Sequence, residues 1–463
     1  MAAKWQQWNE RVKEQYPAIF DRLARLVALP SVAAQKRAIP ETARLIRGWL
    51  EEAGAEVRLL DDLGGSPVLY ACFEPGPGGR KDRTVLLYNH YDVQPAEPLE
   101  LWDSDPFRLT ERDGKLFARG VGDNKGDIVA RLAAILLLRQ DGGLPCRVKW
   151  LIEGEEEIGS PSLPRYMDKY GHLFAADACI WEFGYKDAEE RLCMTSGLKG
   201  LTYFELHCRG AEVDMHSMAS AYIDNPIHRL CMALASMKDD KGRVLVEGYY
   251  DGMQEPTGRE LEAVLGLPFD AEAERKRFGV KLPFITDRSG RDPRVVTAFE
   301  PQLSICGICG GYTGEGAKTV LPKEAFAKLE SRNVAGQDPK RIIEAVRRHL
   351  DRHGFEDIEI RVLNDEQRGF RSDFDHPFVR LMKETAEEVY GGEVILNPSH
   401  PGCGPMYEIG GRLRMPVVST GIGWAHSNYH APNESVRVAD MLQGIVHIAL
   451  VLQRFGTGSG QDA

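Results

Sequence analysis

Apolar residues recur at helical spacing through residues 8–53, with Ile19, Leu23, Leu26 and Val27 on one face. A second helical stretch follows Pro40, where Leu45, Ile46, Trp49 and Leu50 share a face and Gly54 ends it. Beyond Gly54 the texture changes to short apolar runs at residues 55–60, 68–73, 84–88, 146–152 and 178–181, which predict strands. Residues 128–139 form an apolar helix directly after a glycine-rich loop. Strands alternating with helices predict an α/β domain, a sheet with helices on its faces. Around Ser196 the pattern shifts again, with strands at 198–208, 326–331 and 358–363, an amphipathic helix at 341–353 and a charged surface stretch at 270–277. Past Asp375 the α/β texture returns as a helix at 378–390, a strand at 416–419 and a last helix at 438–455. The predicted layout is one α/β domain in two parts, 1–196 and 374–455, interrupted by a smaller α+β domain at 197–373, with a disordered tail at 456–463.

Two domains also suit a chain of 463 residues, which is long for a single core. The net charge of −11 argues against nucleic acid as a partner, because phosphate neutralisation needs clustered Lys and Arg. No apolar run is expected to reach the ~20 residues that span a bilayer, so no membrane association is expected. The polar start, residues 1–16, lacks the apolar core of a signal peptide, and a cytoplasmic location is expected. The nine cysteines are scattered, and the one C-x-x-C pair, Cys306 and Cys309, reads as reduced thiols in a loop or strand.

Five segments carry chemistry. Asn89-His90-Tyr91-Asp92-Val93-Gln94-Pro95 follows an apolar strand, and His90 and Asp92, two apart, point to one face. Arg119-Gly120-Val121-Gly122-Asp123-Asn124-Lys125-Gly126 stands at a loop-to-helix junction. A phosphate cradle fails there for want of a Gly-Lys-Ser/Thr ending or a G-x-G-x-x-G pattern, and Asp123 at the tip suits a cation better. Glu153-Gly154-Glu155-Glu156-Glu157 directly follows a buried-looking strand, where four like charges are tolerable once divalent cations sit on them. Glu182 ends another strand, and His426 to Glu434 forms a loop with two histidines leading into the last helix.

Open α/β sheets place their ligand crevice outside the carboxyl ends of strands, where His90, Glu157 and Glu182 fall. Two histidines with three carboxylates form a ligand set suited to zinc, with manganese or cobalt as substitutes. Two divalent ions balance three carboxylates and one hydroxide.

In this order, H-x-D-V-x-P, G-x-x-D-x-K-G, E-E-x-G-S and H-x-P-N-E resemble the di-zinc peptidase and deacylase family that includes carboxypeptidase G, aminoacylase-1, succinyl-diaminopimelate desuccinylase and the carnosinases. The resemblance implies two zinc ions per subunit: His90 and Glu182 on one, Glu157 and His430 on the other, and Asp123 bridging. It implies Glu156 as general base, Asp92 as the carboxylate behind His90, and a cis peptide after Asp123. It also implies that the inserted domain is a ferredoxin-like lid that forms a homodimer, with His216 of Asp214-Met215-His216-Ser217 reaching the partner subunit's active site. Asn225-Pro226 follows that segment, and Asn225 is expected to contact the substrate. Gly316-Ala317-Lys318-Thr319-Val320-Leu321-Pro322, with Arg332 thirteen residues past Thr319, resembles the carnosinase segment for the substrate carboxylate. Gly410-Gly411-Arg412 departs from the Gly-Gly-Ser of carnosinase-like members, so Arg412 is expected either to contact a substrate carboxylate or to block the pocket.

The activity so implied is hydrolysis of the amide bond of dipeptides or short peptides with a free carboxylate, as a dipeptidase or exopeptidase. The nearest alternative is an N-acyl- or N-carbamoyl-amino-acid amidohydrolase. A non-enzymatic binding protein on a degenerate scaffold predicts loss of the base or a ligand, whereas Glu156 and all five ligand candidates are present.

Overall fold

The computed structural model describes residues 4–458. Its contacts divide the chain into two units: Met1–Gly197 with Arg371–Pro398 and Gly404–Ala463, and Leu198–Phe370 with Ser399–Cys403. The second unit thus takes in residues 399–403, which the sequence pattern assigns to the α/β domain. His400–Cys403 forms a strand that pairs in parallel with Gly197–Arg209.

The first unit is built on a six-stranded mixed sheet. Its strands are β1 (Glu56–Leu60), β2 (Val68–Phe73), β3 (Arg80–His90), β4 (Cys146–Glu153), β5 (Ala178–Trp181) and β6 (Val417–Ser419), in the order β1-β2-β4-β3-β5-β6. The pairs β4/β3, β3/β5 and β5/β6 are parallel, and β1/β2 and β2/β4 are antiparallel. Every residue of β2 and the last eight of β3 are buried, the continuous pattern of strands covered on both faces. Alternation then decides which helix each side chain meets. Leu69, Ala71 and Phe73 enter the main core with Ile46 and Leu50 of α2 (Ile39–Glu52), while Tyr70 meets Phe174 edge-on.

The remaining helices of this unit are α1 (Lys4–Val27), α3 (Lys125–Gln140), α4 (Leu163–Phe174), α5 (Pro377–Tyr390) and α6 (Val438–Thr457). α3 is apolar on nearly every side because α1 and α6 pack against it as well as the sheet. α6 corrects two expectations. It runs through Gly456 and Thr457, into the stretch read as a tail. Gly456 is buried against the Pro145 carbonyl, 2.5 Å from where a Cβ would stand, so the helix end is held rather than free; residues 459–463 lie outside the described residues. α6 is also long and apolar enough to cross a membrane by length and composition. In this fold 67% of its most apolar window is buried inside the protein, so its apolarity serves the core.

The second unit's sheet contains an antiparallel path of four strands in the order Gln302–Gly310, Glu324–Asn333, Gly197–Arg209, Glu359–Gln367. In chain order, with the helices Pro226–Ser236 and Pro339–Arg352, this is the βαββαβ arrangement of a ferredoxin-like fold. Phe204, Leu206, Ala327 and Leu329 pack under Leu230, Ile342 and Val346 of those helices. The charged stretch near 270 is an exposed helix, Ala271–Phe278, capped by Asp270. Gly258–Leu265 and Pro293–Phe299, which the sequence pattern left unassigned, share a small core of Val264, Ala298 and Phe299. All nine cysteines are free, and Cys306 and Cys309 are exposed on the strand Gln302–Gly310.

His447 of α6 is buried between Thr385 Oγ1 and Thr420 Oγ1, each 3.3 Å from a ring nitrogen, and burial pushes its pKa down to about 4. Between pH 4 and the ordinary value of 6.5 the unfolded chain therefore binds a proton that the folded chain does not. That contribution is intact above pH 6.5 and is lost as the pH falls towards 4. Denaturant unfolding of chelator-treated protein at pH 7 and pH 5 tests this: His447→Gln is expected to lose about 2 kcal/mol less than the unsubstituted chain over that interval.

Candidate metal centre

The parallel strands β3, β4 and β5 end on one edge of the sheet, with His90 opposite Glu153 in register and Glu182 just past β5. His90 Nε2 lies 2.9 Å from Asp123 Oδ1 and 3.2 Å from Glu182 Oε2. His430 Nε2 lies 3.1 Å from Asp123 Oδ2 and 3.2 Å from Glu157 Oε2. Asp123 thus turns one oxygen to each imidazole, and each imidazole has a glutamate on its other side. Donor atoms of His90, Asp123 and Glu157 lie within 4.8 Å of one another, as do those of His90, Glu156 and Glu182. The structure brings together all five sequence-predicted ligands and Glu156.

Two observations test whether a cation fits. Zinc bonds of ~2.0–2.2 Å in tetrahedral geometry set donor atoms roughly 3.3 Å apart, close to the spacing of these nitrogen and oxygen atoms. Glu182 Oε2 is buried without a hydrogen-bond partner, an arrangement a cation satisfies. The residues fit a divalent ion.

Electrostatics point the same way. Burial pushes the carboxyls of Glu156 and Glu182 well above the ordinary range and raises Glu157, each aggravated by neighbouring carboxylates. Against burial, His430 and His90 hold Asp123 below its usual value. Hydrogen bonds to Asp123 and Glu157 raise His430 to about 10. Burial works against His90, yet Glu182, Asp123 and Asp92 hold it well above its ordinary value. The carboxylates around each imidazole favour its charged form, the same setting that favours a divalent ion.

Asp92 serves both edges of this arrangement. Its Oδ1 lies 3.3 Å from His90 Nδ1, and its two oxygens accept from the backbone N–H groups of Glu156 at 3.2 Å and Glu157 at 3.0 Å. The acidic run after β4 divides into two kinds of residue. Glu153 accepts from Tyr88 Oη at 2.7 Å and Ser160 Oγ at 2.9 Å, and burial raises it to about 8. Glu155 accepts from the N–H groups of Ser66 at 2.6 Å and Ser162 at 3.1 Å. These two are structural; Glu156 and Glu157 face the other donors. Gln94, within the first motif but given no role from sequence, donates to Glu157 Oε2 at 3.0 Å.

The glycine-rich loop does bind an anion, and that anion is the chain's own. Glu434 is fully buried, and its carboxylate accepts from the N–H groups of Gly120 at 3.0 Å, Gly122 at 2.9 Å and Asp123 at 3.0 Å. Arg119 Nη1 donates to it at 2.7 Å. A side chain at Gly120, which has φ +83°, would meet Val93 at 2.5 Å. The peptide Asp123–Asn124 is cis. Below the loop, Lys125 Nζ donates to the carbonyls of Leu26 and Leu29 at the end of α1, and Arg131 donates to the carbonyls of Tyr88 and Trp181 at 2.6 and 2.7 Å. Sequence reasoning assigned no role to Arg119, Arg131 or Glu434. The one signal was a charged residue inside an apolar helix, Arg131, which needs partners when buried.

The other predicted residues have different surroundings. Arg412 belongs to the first unit, where it ion-pairs with Asp168 and, at 2.7 Å, with Glu408. Two carboxylates of the same unit thus balance its charge. Asn225 accepts from the N–H of Ile227 at 2.9 Å and caps the helix Pro226–Ser236. His216 and Thr319 are exposed and adjacent: His216 pairs with Val320, and the Thr319 carbonyl accepts from the N–H of Ser217. Arg332 lies on Glu324–Asn333, with Nη1 2.9 Å from Cys403 Sγ.

Comparison with known proteins agrees with this geometry. Residues 86–454 match the model of peptidase family M20/M25/M40. The chain is 25% identical over 473 residues to the Cys-Gly metallodipeptidase DUG1 of Saccharomyces cerevisiae, covering 96% of this chain and 97% of the relative. It is 32% identical over 272 residues to the Beta-Ala-His dipeptidase of Homo sapiens, covering 58% and 53%. Among solved structures, the M20 family metallo-carboxypeptidase Sso-CP2 from Sulfolobus solfataricus superposes with a TM-score of 0.84 at 34% identity, over 94% of this chain and 98% of that one. With the family model spanning most of the chain, this protein belongs to peptidase family M20/M25/M40.

Proposed function

We propose that this chain is a metal-dependent dipeptidase that binds two zinc ions and hydrolyses the amide bond of a small peptide with a free carboxylate. The observation that carries this is Asp123, whose two oxygens face two separate imidazoles, each flanked by its own glutamate. His90 and Glu182 would hold one ion, His430 and Glu157 the other, and Asp123 both. The dipeptidase names of the yeast and human relatives support a dipeptide substrate.

Bound there, divalent ions supply Lewis acidity to the amide carbonyl and make water a stronger acid near neutral pH. Glu156 accepts the proton that the attacking water gives up and returns it to the leaving amine. Its place beside His90 and Glu182, and the Asp92 oxygen on its backbone N–H, support that role. Asp92 orients His90 through Nδ1. We assign His216 to the developing oxyanion, across a homodimer, and Arg332 with Thr319 to the substrate carboxylate, on the resemblance of their segments. Nine free cysteines support a reducing compartment such as the cytoplasm.

Glu156→Gln is expected to keep its zinc, measured by elemental analysis, while kcat falls by about 10²-fold or more; full turnover removes Glu156 as the base. Glu157→Ala and His430→Ala are each expected to reduce bound zinc, and an unchanged metal content moves the ligand set elsewhere. On a panel of substrates, free dipeptides should exceed N-acyl- and N-carbamoyl-amino acids in kcat/KM by about tenfold or more, roughly 1.4 kcal/mol in the barrier. The reverse ranking makes the enzyme a deacylase.

A further inference from the structure

We propose that Gln94 is a positioning residue for one of the two ions, acting through the carboxylate of Glu157; this assignment rests on the two-zinc reading. The side-chain nitrogen of Gln94 lies 3.1 Å from the Glu157 carbonyl and 3.0 Å from Glu157 Oε2. A backbone carbonyl can only accept, so the nitrogen end of the amide is the end that faces Glu157. Both amide hydrogens are then given to oxygens of one residue.

The result is a clasp around Glu157. Asp92 Oδ2 accepts from the Glu157 N–H at 3.0 Å, while Gln94 donates to its carbonyl and its carboxylate. Asp92 and Gln94 are two residues apart in the stretch that follows β3, so one short segment holds Glu157 at three of its polar groups. Glu157 itself lies in a single 3₁₀ turn, Glu156–Ile158, which fixes its backbone less firmly than a strand or a long helix does. A glutamate with a loose side chain must surrender rotamer freedom when it takes up an ion, and the Gln94 amide removes that freedom beforehand.

The two halves of the centre differ in this respect. Glu182 Oε2, the carboxylate oxygen beside His90, is buried and has no hydrogen-bond donor. Glu157 Oε2, the oxygen beside His430, has the Gln94 donor. The imidazoles differ as well, His90 being 1% exposed and His430 54%. Packing alone fixes the buried half, whereas the half that opens to solvent has an added amide to hold its glutamate. Removing the amide should therefore weaken one ion and spare the other.

Gln94→Met keeps the length of the side chain and removes both hydrogens. The test is zinc affinity, measured on the full-length protein by competition with a chromophoric chelator. The unsubstituted protein is expected to bind two ions; in Gln94→Met one affinity should fall by about tenfold or more and the other by less than about twofold. Gln94→Asn, one methylene shorter, withdraws the amide from both oxygens and is expected to weaken the same ion. The His430→Ala background locates the loss: that variant should keep one ion, and adding Gln94→Met should leave the affinity of this remaining ion unchanged. Two affinities untouched by Gln94→Met, or an equal loss at the remaining ion in the His430→Ala background, overturns the role of Gln94 while the two-zinc reading stands. Fewer than two ions on the unsubstituted protein overturns the two-zinc reading, and the assignment of Gln94 to one of two ions falls with it.

Discussion

Crowded carboxylates at the ends of three parallel strands are the constraint to which the rest of the first unit answers. Asp92, Glu153, Glu182 and Glu434 are buried, and Asp123, Glu156 and Glu157 stand beside them. Taking one unpaired carboxylate out of water costs several kcal/mol, more than a fold of marginal stability can absorb repeatedly. Two different solutions are used. Asp92, Glu153, Glu155 and Glu434 accept hydrogen bonds from backbone N–H groups, hydroxyls or Arg119. Asp123, Glu157 and Glu182 turn instead toward two imidazoles, which leaves their charge available to a cation.

Glu434 shows how the first group of carboxylates positions the second. Its hydrogen bonds hold the loop that presents Asp123, and it lies four residues from His430 on the same segment. One buried side chain thereby ties together two stretches of chain that must meet to within a few tenths of an ångström. Arg131 does the same from beneath, collecting the carbonyls at the ends of β3 and β5. Strand ends have carbonyls without ladder partners, and a guanidinium with five donors can satisfy several of them at once. The geometry of the centre thus rests on groups that touch no cation.

Much of this was legible in the sequence because it depends on local rules. The strands ending at His90 and before Glu182, and the helix after the glycine loop, follow from short apolar runs and one loop-to-helix junction. The ferredoxin-like unit followed from resemblance, and its βαββαβ order bears it out. What escaped depends on partners remote in the chain. Nothing near Glu434 says that its acceptors will meet Gly120 and Gly122, 314 and 312 residues away. Glu155 looked like part of a metal cluster, because the N–H groups of Ser66 and Ser162 that satisfy it are invisible in a list of acids. The ion pair of Arg412 was hidden for the same reason, its partner Asp168 lying on α4.

The histidines show one residue type driven to opposite states by its neighbours. His90 and His430 sit among carboxylates and are raised, the latter to about 10. His400 and His447 are buried and pushed down to about 4, keeping their rings neutral. A cation entering the first setting gains the attraction of several carboxylates at once.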